Sequence, residues 1–351
     1  MTDSGVPHPA VPRPGVPDPG VPDPGGPDPS GPDPSGPLSG GPLPGGSART
    51  GAARTGAGRS GVLVVGDLVT DVLVAHDGPI QPGSDTAASI MVGGGGQAAN
   101  TAAWLAFAGH PVTLVAAVGD DLAGQERTAE LSAAGVRCVV RAHAGTPTGS
   151  VVVLAGPHER TMITDRGAAL LLDPADVTAA IDASEAAHLH LSGYPLLHEG
   201  SRPAGLAALA AAAERGLTTS VDAASAAPLR LAGAERFLTW VRDADLLLCN
   251  ADEAEVLAGP GTAAEQAGRL TAHVRNAVVK QGPAGATWAG RDGLVRSWRA
   301  DRVPVVDATG AGDAFAAGLL KAWSSGAGPE AALAAGCALG AAAVSRIGAR
   351  P

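Results

Sequence analysis

The chain has 351 residues, with 24 Lys or Arg against 34 Asp or Glu, which gives a formal net charge of −10. This acidic balance contains no block of basic residues and argues against a protein held on nucleic acid by general electrostatics. The 3 cysteines show no CxxC spacing, so we expect a reduced cytoplasmic protein without a zinc site or disulfide framework. The N-terminus lacks an apolar signal-peptide core, and the Ala-rich runs are too short for good membrane spans.

Residues 1–60 differ in composition from the rest of the chain. They are rich in Pro, Gly, Asp and Ser and include the loose repeat GVPDPGVPDPGGPDPSGPDPSGP. Such a segment has too few apolar side chains to offset the entropy of ordering, so we predict a disordered or polyproline-II-like tail. Residues 61–351 are then expected to form one large domain.

From residue 61 onward, short β-branched runs alternate with Ala- and Leu-rich helical patterns. The predicted strands are 62–65, 112–118, 188–192, 218–222, 245–249 and 277–280. The predicted helices are 98–108, 124–134, 203–215, 263–275 and 313–324. Most of the strands are continuously apolar, as expected for parallel strands that are buried on both faces. The pattern therefore predicts an α/β fold with a doubly wound, mostly parallel sheet flanked by helices.

Two segments break this alternation, because they have the composition of strands but no attached helices. They span about 84–93 and 148–166, and the second contains a GPHE turn between VVVLA and RTMIT, which is typical of a hairpin. We predict a small antiparallel sheet that acts as a lid and excludes water from a reaction. The alternative is a surface flap or a dimer contact.

The run DATGAGDAF, residues 307–315, is the strongest chemical signal in the sequence. It follows the apolar run VPVV, predicted to be a strand, and it opens a helix. Gly310, Ala311 and Gly312 would leave bare N–H groups at the helix start, where the helix dipole favours an anion. The carboxylate of Asp313 beside this anion hole suits abstraction of a hydroxyl proton during phosphoryl transfer. The alternative is that Asp313 merely caps the helix.

DATGAGDAFAAG resembles the C-terminal signature of the ribokinase-like (PfkB) carbohydrate kinases. Further runs resemble other motifs of that family in the same order, over nearly all of residues 61–350. These are GDLVTDVLV (66–74), VGGGGQAANTAAWLAFAG (92–109), LLLCNADEAEVL (246–257), VVKQGPAGA (278–286) and AAAVSRIGA (341–349). The resemblance implies a ribokinase-like kinase that moves the γ-phosphoryl group of ATP to a hydroxyl of a sugar or sugar-like molecule.

The resemblance also implies roles for individual residues. The acceptor would be held by Asp71, Gly95, Gly96 and Asn100, with Asp313 as the base. The nucleotide would be held by Asn250, Lys280, Gly282, Gly285, Gly310 and Gly312. Glu253 would hold Mg²⁺ through water, Asp307 would help to order a K⁺ site, and two copies could pair through their lids as a homodimer. From the residues alone, Asn100 could equally be a surface Asn, Asp71 a loop cap, and Glu253 a first-turn charge near the helix dipole.

Three positions depart from the family pattern or leave a role open. Gln97 stands where ribose-specific members commonly have Lys, which puts a plain ribose assignment in doubt. Cys337 stands where some relatives carry a polar or aromatic residue beside the adenine. Arg166 could reach an anionic acceptor such as a sugar acid, or it could lie on the surface of the lid.

Other functions remain open at this point. A nucleoside kinase of the same fold would use the same motifs. A catalytically silent ligand-binding or scaffold protein could use the Pro-rich tail for docking. Residues 94–99 satisfy G-x-G-x-x-A, but dinucleotide-binding glycines should follow the first strand, and a dehydrogenase would leave DATGAGD unexplained. The sequence contains no GxxxxGK[ST] run, which excludes a P-loop enzyme by motif.

Overall fold

Two β-sheets organise the part of the chain that the computed structural model describes, residues 59–155 and 160–351. The strands are β1 (Val62–Val65), β2 (Val69–Ala75), β3 (Ser89–Gly95), β4 (Val112–Gly119), β5 (Arg137–His143), β6 (Thr148–Ala155), β7 (Arg160–Gly167), β8 (His188–Ser192), β9 (Thr218–Asp222), β10 (Leu246–Asn250), β11 (Asn276–Lys280), β12 (Ala286–Gly290) and β13 (Val295–Trp298). The helices are α1 (Gln97–Phe107), α2 (Leu122–Ala133), α3 (Pro174–Asp182), α4 (Tyr194–Leu197), α5 (Arg202–Glu214), α6 (Ala226–Ala232), α7 (Ala234–Trp240), α8 (Ala251–Ala258), α9 (Ala263–Leu270), α10 (Ala311–Ser324) and α11 (Pro329–Val344).

The larger sheet has nine strands in the order β13-β12-β11-β10-β9-β8-β1-β4-β5. Its pairs are parallel from β11 through β5, and β12 and β13 add an antiparallel edge. Alternate residues of β1 enter different hydrophobic clusters: Leu63 and Val65 join one, while Val62 and Val64 join the other. The sheet is therefore buried on both faces, as its continuous apolar strands predicted. This confirms the predicted doubly wound, mostly parallel fold.

The smaller sheet, which we call the lid sheet, has the strand order β3-β2-β6-β7. The β2–β3 and β6–β7 pairs are antiparallel, whereas β2 and β6 run parallel. Its strand β2 overlaps the GDLVTDVLV run at residues 69–74 and was not among the predicted lid strands. Of the predicted segment 84–93, residues 84–88 are not in a strand. The predicted GPHE turn, residues 156–159, lies outside the described residues, and so do residues 1–58 of the predicted tail.

One predicted strand is wrong. The run VPVV, residues 303–306, is not in any strand. Its backbone bonds instead to the end of α11, where the N–H groups of Val306 and Asp307 donate to the carbonyl of Val344 at 2.7 and 3.2 Å. Pro304 has no N–H to donate to a ladder, which disfavours a central strand here. The predicted helix 263–275 is also shorter, because α9 ends at Leu270.

No helix in the two described ranges combines the length and the apolarity that a membrane crossing requires.

Candidate active site

Two cavities open at the carboxyl ends of the strands in the larger sheet. The inner cavity, about 380 Å³, lies between those strand ends and the lid sheet. The predicted residues that line it are Asp71, Gly96, Asn100, Asn250, Glu253, Gly310, Gly312 and Asp313. The outer cavity, about 620 Å³, is lined by Lys280, Gly282, Gly285, Ala311, Gly312 and Cys337. Ala308 and Gly312 line both, so the two cavities meet at the start of α10.

Asp313 lies in the first turn of α10, half-buried in the wall of the inner cavity. Its Oδ2 accepts a hydrogen bond of 2.9 Å from Nδ2 of Asn100, which is on α1. Burial raises the pKa of Asp313 well above the usual carboxyl value, and the hydrogen bond from Asn100 opposes that rise. The N-cap of α10 is Gly310, and Asp313 lies inside the first turn, so the interpretation of Asp313 as the helix cap is wrong.

Gly310 has a φ of 72°, in the left-handed region that favours glycine. A Cβ at this position would also collide with the carbonyl of Ala349. Among the described residues, no side chain caps α10. The N–H of Ala311 makes a long hydrogen bond of 3.4 Å to the carbonyl of Ala308. The first N–H groups of a helix have no partner within it, so this helix start suits an anionic ligand. A Cβ on Gly312 would lie 3.6 Å from Nζ of Lys280, which places the Lys280 ammonium close to the same helix end.

Lys280 ends β11 and is paired with an acidic residue that the sequence analysis missed. Its Nζ donates to Oδ2 of Asp222 at 2.6 Å, and Asp222 ends β9. Burial acts to lower the pKa of Lys280, but Asp222 and Glu253 outweigh it and the net shift is upward. Gln97 donates from Nε2 to Oδ1 of Asp222 at 3.0 Å and accepts from Oγ of Ser192 at 2.7 Å. Gln97 therefore lines the inner cavity as part of a polar network with Asp222 and Ser192.

Asn250 and Glu253 form a capping box at the start of α8. The backbone N–H of Glu253 donates to Oδ1 of Asn250 at 2.9 Å, and the backbone N–H of Asn250 donates to Oε2 of Glu253 at 2.8 Å. Nδ2 of Asn250 also donates to Oε1 of Glu253 at 2.7 Å. Burial raises the pKa of Glu253 to about 7, against the lowering effect of Lys280. Glu253 thus stabilises its own helix start and also lines the inner cavity.

Asp67 is a second acidic residue that the sequence analysis missed. Asp67 is buried two residues after the end of β1. It accepts hydrogen bonds of 3.2 Å from the N–H groups of Gln97 and Ala98 at the start of α1. Nη1 of Arg166 lies 3.1 Å from its Oδ2, and the Arg166 guanidinium stacks 3.7 Å from the ring centroid of Tyr194. The lid-surface interpretation of Arg166 is wrong, because this side chain is buried and lines the inner cavity.

Of the remaining predicted residues, Asp71 lines the inner cavity, whereas Gly95 and Asp307 line neither cavity. The Asp71 carboxylate packs against Gly95, where any side chain would collide with it. Oδ1 of Asp307 accepts from the N–H and Oγ1 of Thr309 at 2.8 and 2.5 Å, and Oδ2 accepts from the N–H of Gly348 at 3.0 Å. Within residues 59–155 and 160–351, no three or more His, Cys, Asp or Glu side chains are grouped so as to hold a metal.

Three known proteins are similar to this chain over most of its length. The ATP-dependent ribose-1-phosphate kinase of Halopiger xanaduensis is 32% identical over 283 residues, which cover 77% of this chain and 87% of that protein. The adenosine kinase of Sinorhizobium meliloti has the same fold, with a TM-score of 0.74, 24% identity and coverage of 84% of this chain and 96% of that one. A putative ribokinase II of E. coli, in complex with ATP and Mg²⁺, has a TM-score of 0.72 at 24% identity, over 83% of this chain and 94% of that one.

Residues 59–351 match the family described as pfkB family carbohydrate kinase. This match contains both sheets, both cavities and the start of α10 where the cavities meet. The chain therefore belongs to the pfkB family of carbohydrate kinases.

Proposed function

We propose that this chain transfers the γ-phosphoryl group of ATP to a hydroxyl of a sugar or sugar-like acceptor, with Asp313 as the catalytic base. The observation that carries the proposal is the meeting of the two cavities at Gly312, next to Asp313 in the chain. An acceptor in the inner cavity and a nucleotide in the outer cavity would bring the hydroxyl and the γ-phosphate together there. Such positioning supplies much of the rate enhancement in phosphoryl transfer.

The proposed step is a direct displacement. Asp313 takes the proton of the acceptor hydroxyl while that oxygen forms a bond to the γ-phosphorus. The bond from the γ-phosphorus to the bridging oxygen breaks, and ADP leaves with the electron pair. The N–H groups at Gly310, Ala311 and Gly312 stabilise the charge on the transferring group. The raised pKa of Asp313 suits this role, because a general base works best when its pKa lies near the working pH.

The outer cavity supports ATP as the donor. Apolar side chains of Phe315, Cys337 and Val344 form one part of its lining and suit an adenine ring. Lys280 and the glycines at 282, 285 and 312 form another part and suit phosphates. The run 303–306, wrongly predicted as a strand, contributes Val303 and Val305 to the same lining, which accounts for its apolar character.

Mg²⁺ fits the inner cavity as an ion held through water. Mg²⁺ keeps most of its hydration shell and commonly uses one or two carboxylates together with substrate phosphates. Glu253 is the carboxylate we assign to it, and Asn250 holds that carboxylate in place. When bound, Mg²⁺ supplies charge neutralisation on the phosphates. Asp307, which orders the turn before α10, is our candidate for the K⁺ site, and indifference of the activity to replacement of K⁺ by Na⁺ would exclude it.

A sugar phosphate is the first acceptor to test. The Halopiger relative acts on ribose 1-phosphate by its name, and its identity to this chain extends over 283 residues. Arg166 lines the inner cavity, and among the described residues its Nε has no hydrogen-bond partner. A buried donor of this kind suits an anionic group on the acceptor. Its guanidinium already faces Asp67, so the acceptor would share it.

The direct test is release of ADP from MgATP in the presence of a panel of ribose 1-phosphate, ribose, fructose, sugar acids and nucleosides. We expect ADP release to depend on one class of acceptor, with the phosphorylated product formed in equal amount. Binding of ATP without acceptor-dependent ADP release from any member of the panel would instead favour the catalytically silent ligand-binding protein.

We further propose that two copies pair through their lid sheets. Met162 and Val153 line the inner cavity, so the neighbouring positions on these strands face outwards. The outward row runs Val92, Val72, Val152 and Ile163 across the lid sheet, and Val92 and Ile163 are 65% and 59% exposed. An apolar row of this kind suits a second copy. Val92→Lys should convert a dimer into a monomer in sedimentation equilibrium, and a wild-type protein that is already monomeric would exclude the pairing.

A further inference from the structure

Arg350, in the segment that follows α11, contacts Asn100, which lines the inner cavity. Its Nε donates to Oδ1 of Asn100 at 3.1 Å, and its Nη2 donates to the carbonyl of Gly95 at 2.9 Å. Its Nη1 lies 3.5 Å from Oε2 of Glu130 on α2. The side chain is only 14% exposed. None of the family motifs that we matched assigns it a role.

The backbone that carries Arg350 is anchored to both helices of the site. The indole Nε1 of Trp104, on α1, donates to the carbonyl of Ala349 at 2.9 Å. Ala349 also packs against Gly310, where any side chain would collide with the Ala349 backbone. The preceding N–H, of Gly348, donates to Asp307 at 3.0 Å. The position of the guanidinium is therefore set by α1 and by the start of α10, which are the two elements that carry Asn100 and Asp313.

The contact with Arg350 decides which way the Asn100 amide points. A guanidinium has only donors, so the atom of Asn100 that faces it must be the acceptor Oδ1. The donor Nδ2 is then turned towards Asp313, where it makes its 2.9 Å bond. In the flipped orientation, Nδ2 would face the Arg350 donors and Oδ1 would face the Asp313 carboxylate, so both contacts would be repulsive.

We propose that Arg350 is a positioning residue, which locks the Asn100 amide so that it donates to Asp313 and holds the Gly95 carbonyl at the start of α1. This inference rests on the proposed role of Asp313 as the base. The hydrogen bond from Asn100 would then keep Asp313 ionised and aligned, although burial and nearby carboxylates disfavour its negative charge. Besides burial, Asp222 and Asp67 act to raise the pKa of Asp313, whereas Asn100 and Lys280 act to lower it.

The burial of Arg350 itself supports a functional role. Burial lowers its pKa to about 10, against the opposing effects of Glu130 and Asp71, so the guanidinium stays charged at neutral pH. Among the described residues, its Nη1 has no hydrogen-bond partner. A buried cation with an incomplete set of partners costs stability, and an apolar side chain of similar volume would serve a purely structural contact as well.

The test compares Arg350→Met, Asn100→Ala and the double variant. If Arg350 acts through Asn100, Arg350→Met should lower kcat about 10–100-fold, as expected when a catalytic group is misplaced. The acidic limb of its pH–kcat/KM profile should move to higher pH, because the donor to Asp313 is no longer held. The double variant should be no slower than Asn100→Ala. The KM for ATP should stay unchanged, and Arg350→Lys, which keeps one donor, should recover part of the rate.

Arg291→Met is the matched control, because Arg291 is also an ion-paired arginine, but its pair with Asp243 is exposed and it lines neither cavity. We expect its kinetics to equal those of the wild type. Multiplicative losses in the double variant, or an acidic limb that does not move, would overturn the proposal. If Arg350→Met does not fold, the same two readouts on Arg350→Lys decide the question. Asp313→Asn distinguishes failure of the proposed function from failure of this inference. If Asp313→Asn stays active, the proposed function fails. If Asp313→Asn is inactive while Arg350→Met behaves as wild type, only the role of Arg350 fails.

Discussion

The two walls of the inner cavity are built in different ways. The wall at the strand ends of the larger sheet, which we call the floor, joins Asn100 to Asp313 and Asp222 to Lys280 by partly buried hydrogen bonds. The opposite wall is the lid sheet, whose own hydrophobic core is small and centres on residues 69, 151 and 153. Its cohesion comes mainly from strand pairing. The floor is therefore held by side-chain hydrogen bonds, whereas the lid sheet can vary its inward side chains to suit an acceptor without disturbing Asp313, the proposed base.

The largest expected effect comes from breaking the floor's ion pair. Lys280→Met would leave Asp222, whose side chain is 2% exposed, without its cation. Removing one partner of a buried pair typically costs about 3–5 kcal/mol. Urea denaturation should report a loss of that order in the free energy of unfolding. The matched control is Arg291→Met at the exposed pair with Asp243, for which we expect a loss below about 1 kcal/mol. Equal losses in the two variants would contradict the contrast between floor and surface.

A pair of glycines compares the floor with the lid sheet directly. Gly310→Ala would place a side chain at a φ of 72°, against the carbonyl of Ala349. The left-handed backbone alone costs about 1–2 kcal/mol, and the collision would displace the start of α10. We expect lower stability in thermal denaturation and a lower kcat.

Gly93→Ala is the matched change in the lid sheet. Among the described residues, nothing lies within 4 Å of the Cβ that it would add. Both stability and kcat should stay close to wild type. If the two alanine variants behave alike, the site does not depend on the fixed geometry of the α10 start.

The smallest expected effect concerns the residue that joins the two walls. Arg166 is the second-last residue of lid strand β7, and its side chain forms an ion pair with Asp67 at the floor. If it recognises an anionic acceptor, Arg166→Met should lower kcat/KM for ribose 1-phosphate at least tenfold more than for ribose, a difference of about 1.4 kcal/mol. Arg202→Met, which removes an arginine stacked on Trp240 outside both cavities, is the control. Equal losses for the two acceptors would show that Arg166 holds the lid sheet to the floor and does not read the acceptor's charge.

The sequence predicted the parts of the fold whose signal is local. Strands buried on both faces are continuous apolar runs, so six strands of the larger sheet were located from pattern alone. Edge strand β5 was missed because RCVVRAH is partly exposed and carries two arginines and a histidine. The VPVV run was misassigned because two of its valines, Val303 and Val305, are apolar for a different reason, as lining of the outer cavity.

The candidate site was predicted where a motif marks it and missed where only the fold brings residues together. Asp313 and its glycines are adjacent in the chain, so their pattern is visible. The partner of Lys280 is 58 positions away, and the partner of Arg350 at Asn100 is 250 positions away. No local spacing specifies such contacts. Asp222 does carry one usable signal, since it ends a buried strand at the edge of the sheet where ligands bind in α/β folds.

The most direct test of the central claim is single-turnover phosphoryl transfer by Asp313→Asn, with ATP binding measured on the same preparation. The exposed Asp120→Asn is the matched control. We predict that Asp313→Asn keeps its affinity for ATP and loses about 10²–10⁴-fold in the transfer rate. In the wild type, the rate should fall as the pH drops through a pKa above the usual carboxyl range, because burial raises the pKa of Asp313. A transfer rate in Asp313→Asn equal to that of the control would contradict the assignment of Asp313 as the base.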